Sequence, residues 1–252
     1  MEHPKQKEVA LLIKHKQPVL LIGEAGSGKT TIIMNIAKND GIPYSFIGGT
    51  RQTTLSHIIG FMNINGIYVP STFRKAYEEG HYFNIDEIDA MDANVLLVFN
   101  SLENNIMYFP DGYNKPPHKN FRFTATANPQ NEHYTGRSKL DAATLDRFDI
   151  VDIDRDQDLE ASLVDQETLQ HINILRQAIK KTNSDIVISM RDSLRFQNRK
   201  NLKILKGFIH RLSGKSDLIY NMYLETISKL PKHTNQSECK TFKDLVDLLK
   251  SQ

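Results

Sequence analysis

One cysteine, no tryptophan and no long apolar run set the first limits on this chain of 252 residues. A lone Cys239 excludes an internal disulfide framework and fits a reducing compartment. The longest apolar runs, such as "VLLIG", fall far short of the roughly 20 residues that cross a bilayer. The opening "MEHPKQKEVALLIKHKQ" lacks the apolar core of a signal peptide, so the expectation is a cytoplasmic protein with no membrane partner. The histidines (His3, His15, His57, His81, His210 and others) are scattered, with no Cys/His pair at ligand spacing, and a structural zinc is not expected. A net charge of +2 gives no strong field of either sign. It is uneven, however: residues 1–154 hold 15 Lys/Arg against 18 Asp/Glu, and residues 155–252 hold 17 against 12. The basic part reads as a solvated surface, or as a patch for nucleic acid or an acidic partner.

What is present is an alternation. "PVLLIG" (18–23) reads as a buried strand, then a Gly-rich turn and a helix through "TTIIMNIAKND" that stops at Gly41. "PYSFIGG" (43–49), "HYFNIDEID" (81–89), "NFRFTATANP" (120–129) and "DIVDID" (149–154) are further strands. Strands alternating with helices predict an α/β fold, a mostly parallel sheet flanked by helices, over residues 1–154. Turn signals predict two inserted hairpins, near 63–71 ("NINGIYVPS") and 106–121, where Pro-Asp-Gly and Pro-Pro separate two strand-like arms. Beyond 155 the periodicity is helical throughout, which predicts a smaller all-helical domain over 155–252.

The chemistry begins at "GEAGSGKT". Gly23, Glu24, Ala25, Gly26, Ser27, Gly28, Lys29 and Thr30 fit the P-loop pattern, after a buried strand and at a helix start, with Thr31 next in line. Such a loop turns backbone N–H groups inward around phosphates, and the helix amino terminus adds partial positive charge. Lys29 is the candidate for the β- and γ-phosphates, and the Thr30 hydroxyl for Mg²⁺. Asp86, ending an apolar strand, is the second Mg²⁺ candidate, and the adjacent Glu87 can polarise an attacking water. Asn128, ending the "FTATANP" strand, can orient that water or bond the γ-phosphate. A surface acidic cluster is the plainer reading of Asp86 and Glu87, since Asp89 and Asp92 follow.

The order of P-loop, Asp-Glu strand, hairpin, strand ending in Asn, and "LDAATLDRF" resembles the AAA+ ATPases, P-loop NTPases with a helical lid. It is most similar to their MoxR-type branch and to the small subunit of cobalt chelatase (CobS-like). The resemblance rests on "LIGEAGSGKTT", "AYEEGHYFNIDEIDAMD", "FRFTATANP" and "YTGRSKLDAATLDRFDIVDID", and spans roughly residues 9–200. It implies ATP and Mg²⁺ as cofactors, Asn128 as sensor 1, and Arg191 as sensor 2, with Arg195 as the rival because Met190 replaces the usual proline. The two hairpins would be a helix-2 insertion and a pre-sensor hairpin.

The same resemblance makes Arg147 an arginine finger, reaching into a neighbouring subunit's nucleotide site; Arg137 is a rival, and pairing of Arg147 within its own chain, for instance with Asp149, is the alternative. It also implies a homo-oligomeric ring of six, a motor that remodels a partner protein, and a partner carrying a von Willebrand A-type domain. A second class of function is a nucleic-acid loader, translocase or McrB-like motor. Arg191, Arg195, Arg199 and Lys203 recur every fourth residue and would line one helix face.

Overall fold

The computed structural model describes residues 2–104, 106–129, 140–182, 186–199 and 216–229. The chain divides into two compact units, residues 1–159 and 160–252.

Unit 1 is built on five short apolar strands. They are β1 (Val19–Ile22), β2 (Tyr44–Gly48), β5 (Tyr82–Asp86), β6 (Arg122–Ala127) and β7 (Asp149–Asp152), in the order β2-β5-β6-β1-β7, with every pairing parallel. The central strands read as continuous burial because helices cover both faces, as a parallel sheet requires. Register aligns the carboxy-terminal ends: Ile22 faces Ala127, Ile85 faces Ala125 and Gly48 faces Asp86. A crevice at the carboxyl ends of strands is where open α/β sheets bind ligands.

α1 (Gln6–Lys14) and α2 (Lys29–Asn39) close one side through Val9, Ile13, Ile32, Ile33 and Ile36. Gly41, at a φ of 67°, ends α2 where a side chain would be strained. The other core is aromatic. Phe73, on α4 (Thr72–Glu79), is fully buried and meets Phe83 and Phe121 edge-on at ring separations of 5.0 and 5.8 Å. Between α3 (Leu55–Ile59) and α4 lies an antiparallel pair, β3 (Phe61–Met62) and β4 (Tyr68–Val69), closed by a turn in which Asn63 Oδ1 accepts from the Asn65 and Ile67 amides.

The second expected hairpin is a correction. Residues 106–121 carry a tight turn, with the Phe109 amide donating to Tyr113, but no strand ladder. Their arms are tied to α4 instead. The Met107 amide donates to the Tyr77 hydroxyl, that hydroxyl donates to the Lys115 carbonyl, and Met107, Phe109 and Phe121 are buried in the aromatic core. Pro116 and Pro117 supply no amide for pairing.

Beyond β5 come α5 (Ala93–Leu96), a 3₁₀ segment (Leu97–Asn104) and α6 (Ala142–Leu145). α7 (Gln157–Leu163) spans the division between the units. In unit 2 the described elements are helices. The long helical pattern breaks at Asp165, whose side chain caps α8 (Gln166–Lys181) by accepting from the Thr168 amide at 2.7 Å. α9 (Met190–Arg199) and α10 (Ser216–Ser228) pack on α8 through Ile172, Leu175, Ile179, Phe196, Ile219 and Tyr223.

Candidate nucleotide site

The P-loop runs from the end of β1 into α2. Gly26 and Gly28 sit at φ of 80° and 94°, which a side chain would strain, and a Cβ at Gly23 would run into the Ile153 carbonyl. Gly28 starts α2 without a side-chain cap, so the first helical N–H groups stay available. Ser27 is 2% exposed and its Oγ has no partner among the described residues. Buried polar atoms are normally satisfied, so an orphan inside a glycine cradle fits a loop built for a polar ligand. Glu24, Ala25 and Thr31 lie exposed on the rim.

Lys29 Nζ donates to the Gly23 carbonyl at 2.6 Å and the Glu24 carbonyl at 3.0 Å, and stands 3.5 Å from Asn128 Oδ1. Asn128 is 5% exposed, just past the end of β6, so the strand beside β1 delivers it to the lysine. The Thr30 hydroxyl donates to Asp86 Oδ1 at 3.0 Å. A hydroxyl and a carboxylate at this separation form the all-oxygen donor set that a hard cation such as Mg²⁺ takes, so these residues fit the ion. Among the described residues no group of three His, Cys, Asp or Glu forms another metal cluster. Glu87 is exposed and adopts the left-handed conformation, φ 60° and ψ 49°, which turns its side chain out of the strand direction.

Two residues behind these acids had no role in the sequence reading. Thr126 Oγ1 donates to Asp86 Oδ1 at 2.5 Å and accepts from the Glu87 amide at 3.1 Å. Tyr44, on β2, has its hydroxyl pushed up to about 12 by burial and by the Asp86 charge. The legible signal was polarity at alternate positions, Asn84 and Asp86 on β5 against Thr124 and Thr126 on β6. Thr124 Oγ1 donates to Asn84 Oδ1 at 3.1 Å, which ties the oxygen of the in-strand Asn84 across the β5–β6 pair, while its Nδ2 is buried with no partner among the described residues.

The remaining predicted residues lie elsewhere. Asp141 caps α6 by accepting from the Thr144 amide at 2.6 Å, and the Thr144 hydroxyl together with that amide, helped by the nearby Arg147 charge, holds its carboxyl below the usual carboxylate range. Arg147 follows α6 and donates through Nη1 to the Ala143 carbonyl of its own helix. It borders a cavity of about 460 Å³ that Lys16, Phe99, Phe121, Phe123 and Phe148 also line and that contains no P-loop residue. Arg191 and Arg195 are exposed on α9 in unit 2, and Arg195 lies 3.5 Å from Asp192. Arg137 and Lys203 fall outside the described residues, and so does the side chain of Arg199.

No described helix is long and apolar enough to cross a membrane. The known proteins to which the chain is similar include Midasins of two organisms. That of Giardia intestinalis is 29% identical over 175 residues, covering 65% of this chain and 4% of the relative. That of Dictyostelium discoideum is 28% identical over 145 residues, covering 55% of this chain and 2% of the relative. The chain thus matches only a small fraction of the length of these proteins. A crystal structure assigned as an ATPase, from Cytophaga hutchinsonii, aligns over 78% of this chain and 58% of its own at 21% identity and a TM-score of 0.48, a distant likeness. Residues 18–148, which hold the P-loop, Asp86, Glu87, Asn128 and Arg147, match the AAA domain of the dynein-related subfamily. The chain, with its parallel sheet and P-loop, therefore belongs to that family of nucleotide-binding, ATP-hydrolysing AAA+ domains.

Proposed function

We propose that this protein is the ATPase of a MoxR-type, CobS-like ring motor, with the division of labour its residues support. Lys29 neutralises the β- and γ-phosphates of ATP, and Thr30 with Asp86 holds Mg²⁺. When bound, that ion would offset negative charge on the phosphates. Glu87 accepts the proton of the attacking water, Asn128 orients that water, and Arg147 enters from the adjoining subunit of a six-membered ring. The observation that carries the reading is the meeting of Lys29 with Asn128, and of Thr30 with Asp86, at the ends of three adjacent strands.

With its finger supplied by a neighbour, a single subunit holds an incomplete site. Hydrolysis is then coupled to assembly, and Arg191 in unit 2 reports the phosphate state. The work done is remodelling of a partner protein, in line with the resemblance to chelatase-type ATPases, whose partners carry von Willebrand A-type domains. Replacing Glu87 with Gln is the direct test. ATP binding is retained and turnover stops; turnover at the wild-type rate would remove Glu87 from the catalytic role.

A further inference from the structure

We infer that Thr126 is a positioning residue that sets the two acids of the site relative to each other; the inference rests on the ATPase reading of Asp86 and Glu87. Thr126 is fully buried, so it touches neither solvent nor substrate and acts only through its neighbours. Its hydroxyl has one proton and a lone-pair side, and both are used for the site. The proton goes to Asp86 Oδ1 at 2.5 Å, and the oxygen accepts the Glu87 amide at 3.1 Å.

The location of this bond explains its leverage. Regular pairing of β5 with β6 ends at Ile85 and Ala125. Two residues beyond that point, the Thr126 hydroxyl holds a β5-side backbone amide. That amide belongs to Glu87, a residue with a Cβ in the left-handed region at φ 60°, a conformation that persists only where surrounding contacts impose it. A Cβ at Gly49 would strike the Glu87 carbonyl, so the peptide is confined from the β2 side as well.

Asp86 Oδ1 also receives the Thr30 hydroxyl at 3.0 Å. With two hydroxyl donors on Oδ1, and none on Oδ2 among the described residues, the carboxylate is fixed in rotation. One threonine oxygen thereby couples the carboxylate facing the P-loop to the backbone that aims Glu87. Removing the hydroxyl frees both acids while leaving the phosphate cradle, which Thr126 does not touch.

The experiment compares Thr126→Val, Thr126→Ser and Glu87→Gln in the full chain, each at a concentration where assembly is complete. Nucleotide affinity is read with a fluorescent ATP analogue, and kcat and KM from phosphate release. Thr126→Val should lower kcat about 10–100-fold, the usual loss when the hydrogen-bond partner behind a metal-site carboxylate is removed. Its KM and analogue affinity should stay within about threefold, and Thr126→Ser should restore most of kcat by returning the hydroxyl. Wild-type kcat in Thr126→Val overturns the inference. So does a Thr126→Ser as slow as the valine variant, or a valine variant that no longer binds the analogue, because either result makes Thr126 a packing residue. Glu87→Gln separates the two layers: if it still turns over, the underlying assignment of the acid fails; if it is silent while Thr126→Val is normal, only the role of Thr126 fails.

Discussion

The Thr30 hydroxyl and Asp86 Oδ1 meet at 3.0 Å across the gap between the P-loop helix and the end of β5. Two oxygens that already touch should behave as one binding unit. Thr30→Val and Asp86→Asn should each weaken Mg²⁺·ADP binding by about tenfold or more, as expected for groups in or directly behind a metal site. The double variant should lose less than the two single losses combined, with a coupling of about 0.5–3 kcal/mol. Titration calorimetry of the four proteins closes the cycle, and strict additivity would show that the contact has no part in binding.

Arg147 bonds the carbonyl of Ala143 on its own helix, so a finger role requires the guanidinium to exchange that partner for a neighbour's phosphates. The expected cost of Arg147→Ala is about 10³–10⁵ in kcat, the range for fingers of other nucleotide hydrolases. Arg147→Lys should recover little, because one ammonium cannot fork two bonds. Mixing is the sharper check. Assemblies of Arg147→Ala with Glu87→Gln contain junctions where an intact Glu87 faces an intact Arg147. Activity regained on mixing two dead variants means a shared site, and no regain places the arginine's work within its own chain.

Arg74 is 4% exposed, yet carries a full charge beneath the β3–β4 hairpin. Its guanidinium forks onto Asp111, bonds Glu78 at 2.9 Å, and lies 4.2 and 3.9 Å from the ring centres of Phe109 and Tyr113. Arg74→Ala should destabilise unit 1 by about 3 kcal/mol, the low end for breaking a buried pair, since both carboxylates keep some solvent. For Asp111, partial burial opposes ionisation, but the bonds from Arg74 outweigh it and hold the carboxyl below its ordinary 3.8. A depressed folded value means this contribution is present above pH 4 and is lost as pH falls through the folded value. Urea melts between about pH 7 and 3 should therefore show wild type losing its advantage over Asp111→Asn on acidification. A gap independent of pH would remove charge from the account.

These contacts also mark where the sequence stopped being legible. The strands around "VLLI", "NID" and "TATA" announced themselves because each short apolar run ends in a turn or an acid, and the P-loop is a local pattern. Thr126 looked like an ordinary β-branched strand residue; its role depends on β5 and β6 lying in one register, which no single segment encodes. Arg74 drew no reading from the sequence, because Asp111 is 37 residues away and their meeting depends on how the 106–121 segment folds back. That segment carried hairpin turn signals, but its apolar side chains are satisfied by Phe73 and Tyr77, and the turn forms without a ladder.

In unit 2 the same logic governs Glu160, which is 1% exposed. Arg176 reaches it with two bonds at 2.8 and 2.9 Å, Ser193 donates to it at 2.5 Å, and the same arginine donates to the Ile188 carbonyl at 2.9 Å. One carboxylate thus joins α7, α8 and α9. Removing only the cation, in Arg176→Met, leaves a buried carboxylate without its arginine and should cost about 3–5 kcal/mol. Replacing both partners, in Glu160→Leu/Arg176→Met, should recover much of that loss, because no charge is left to desolvate. Ser193 sits on α9 with Arg191, so amide exchange across 190–199 should quicken in the single variant and slow again in the double. Exchange that stays slow in Arg176→Met would mean that the apolar contacts of Phe196 hold α9 without the ion pair, and that the buried charge contributes specificity rather than stability.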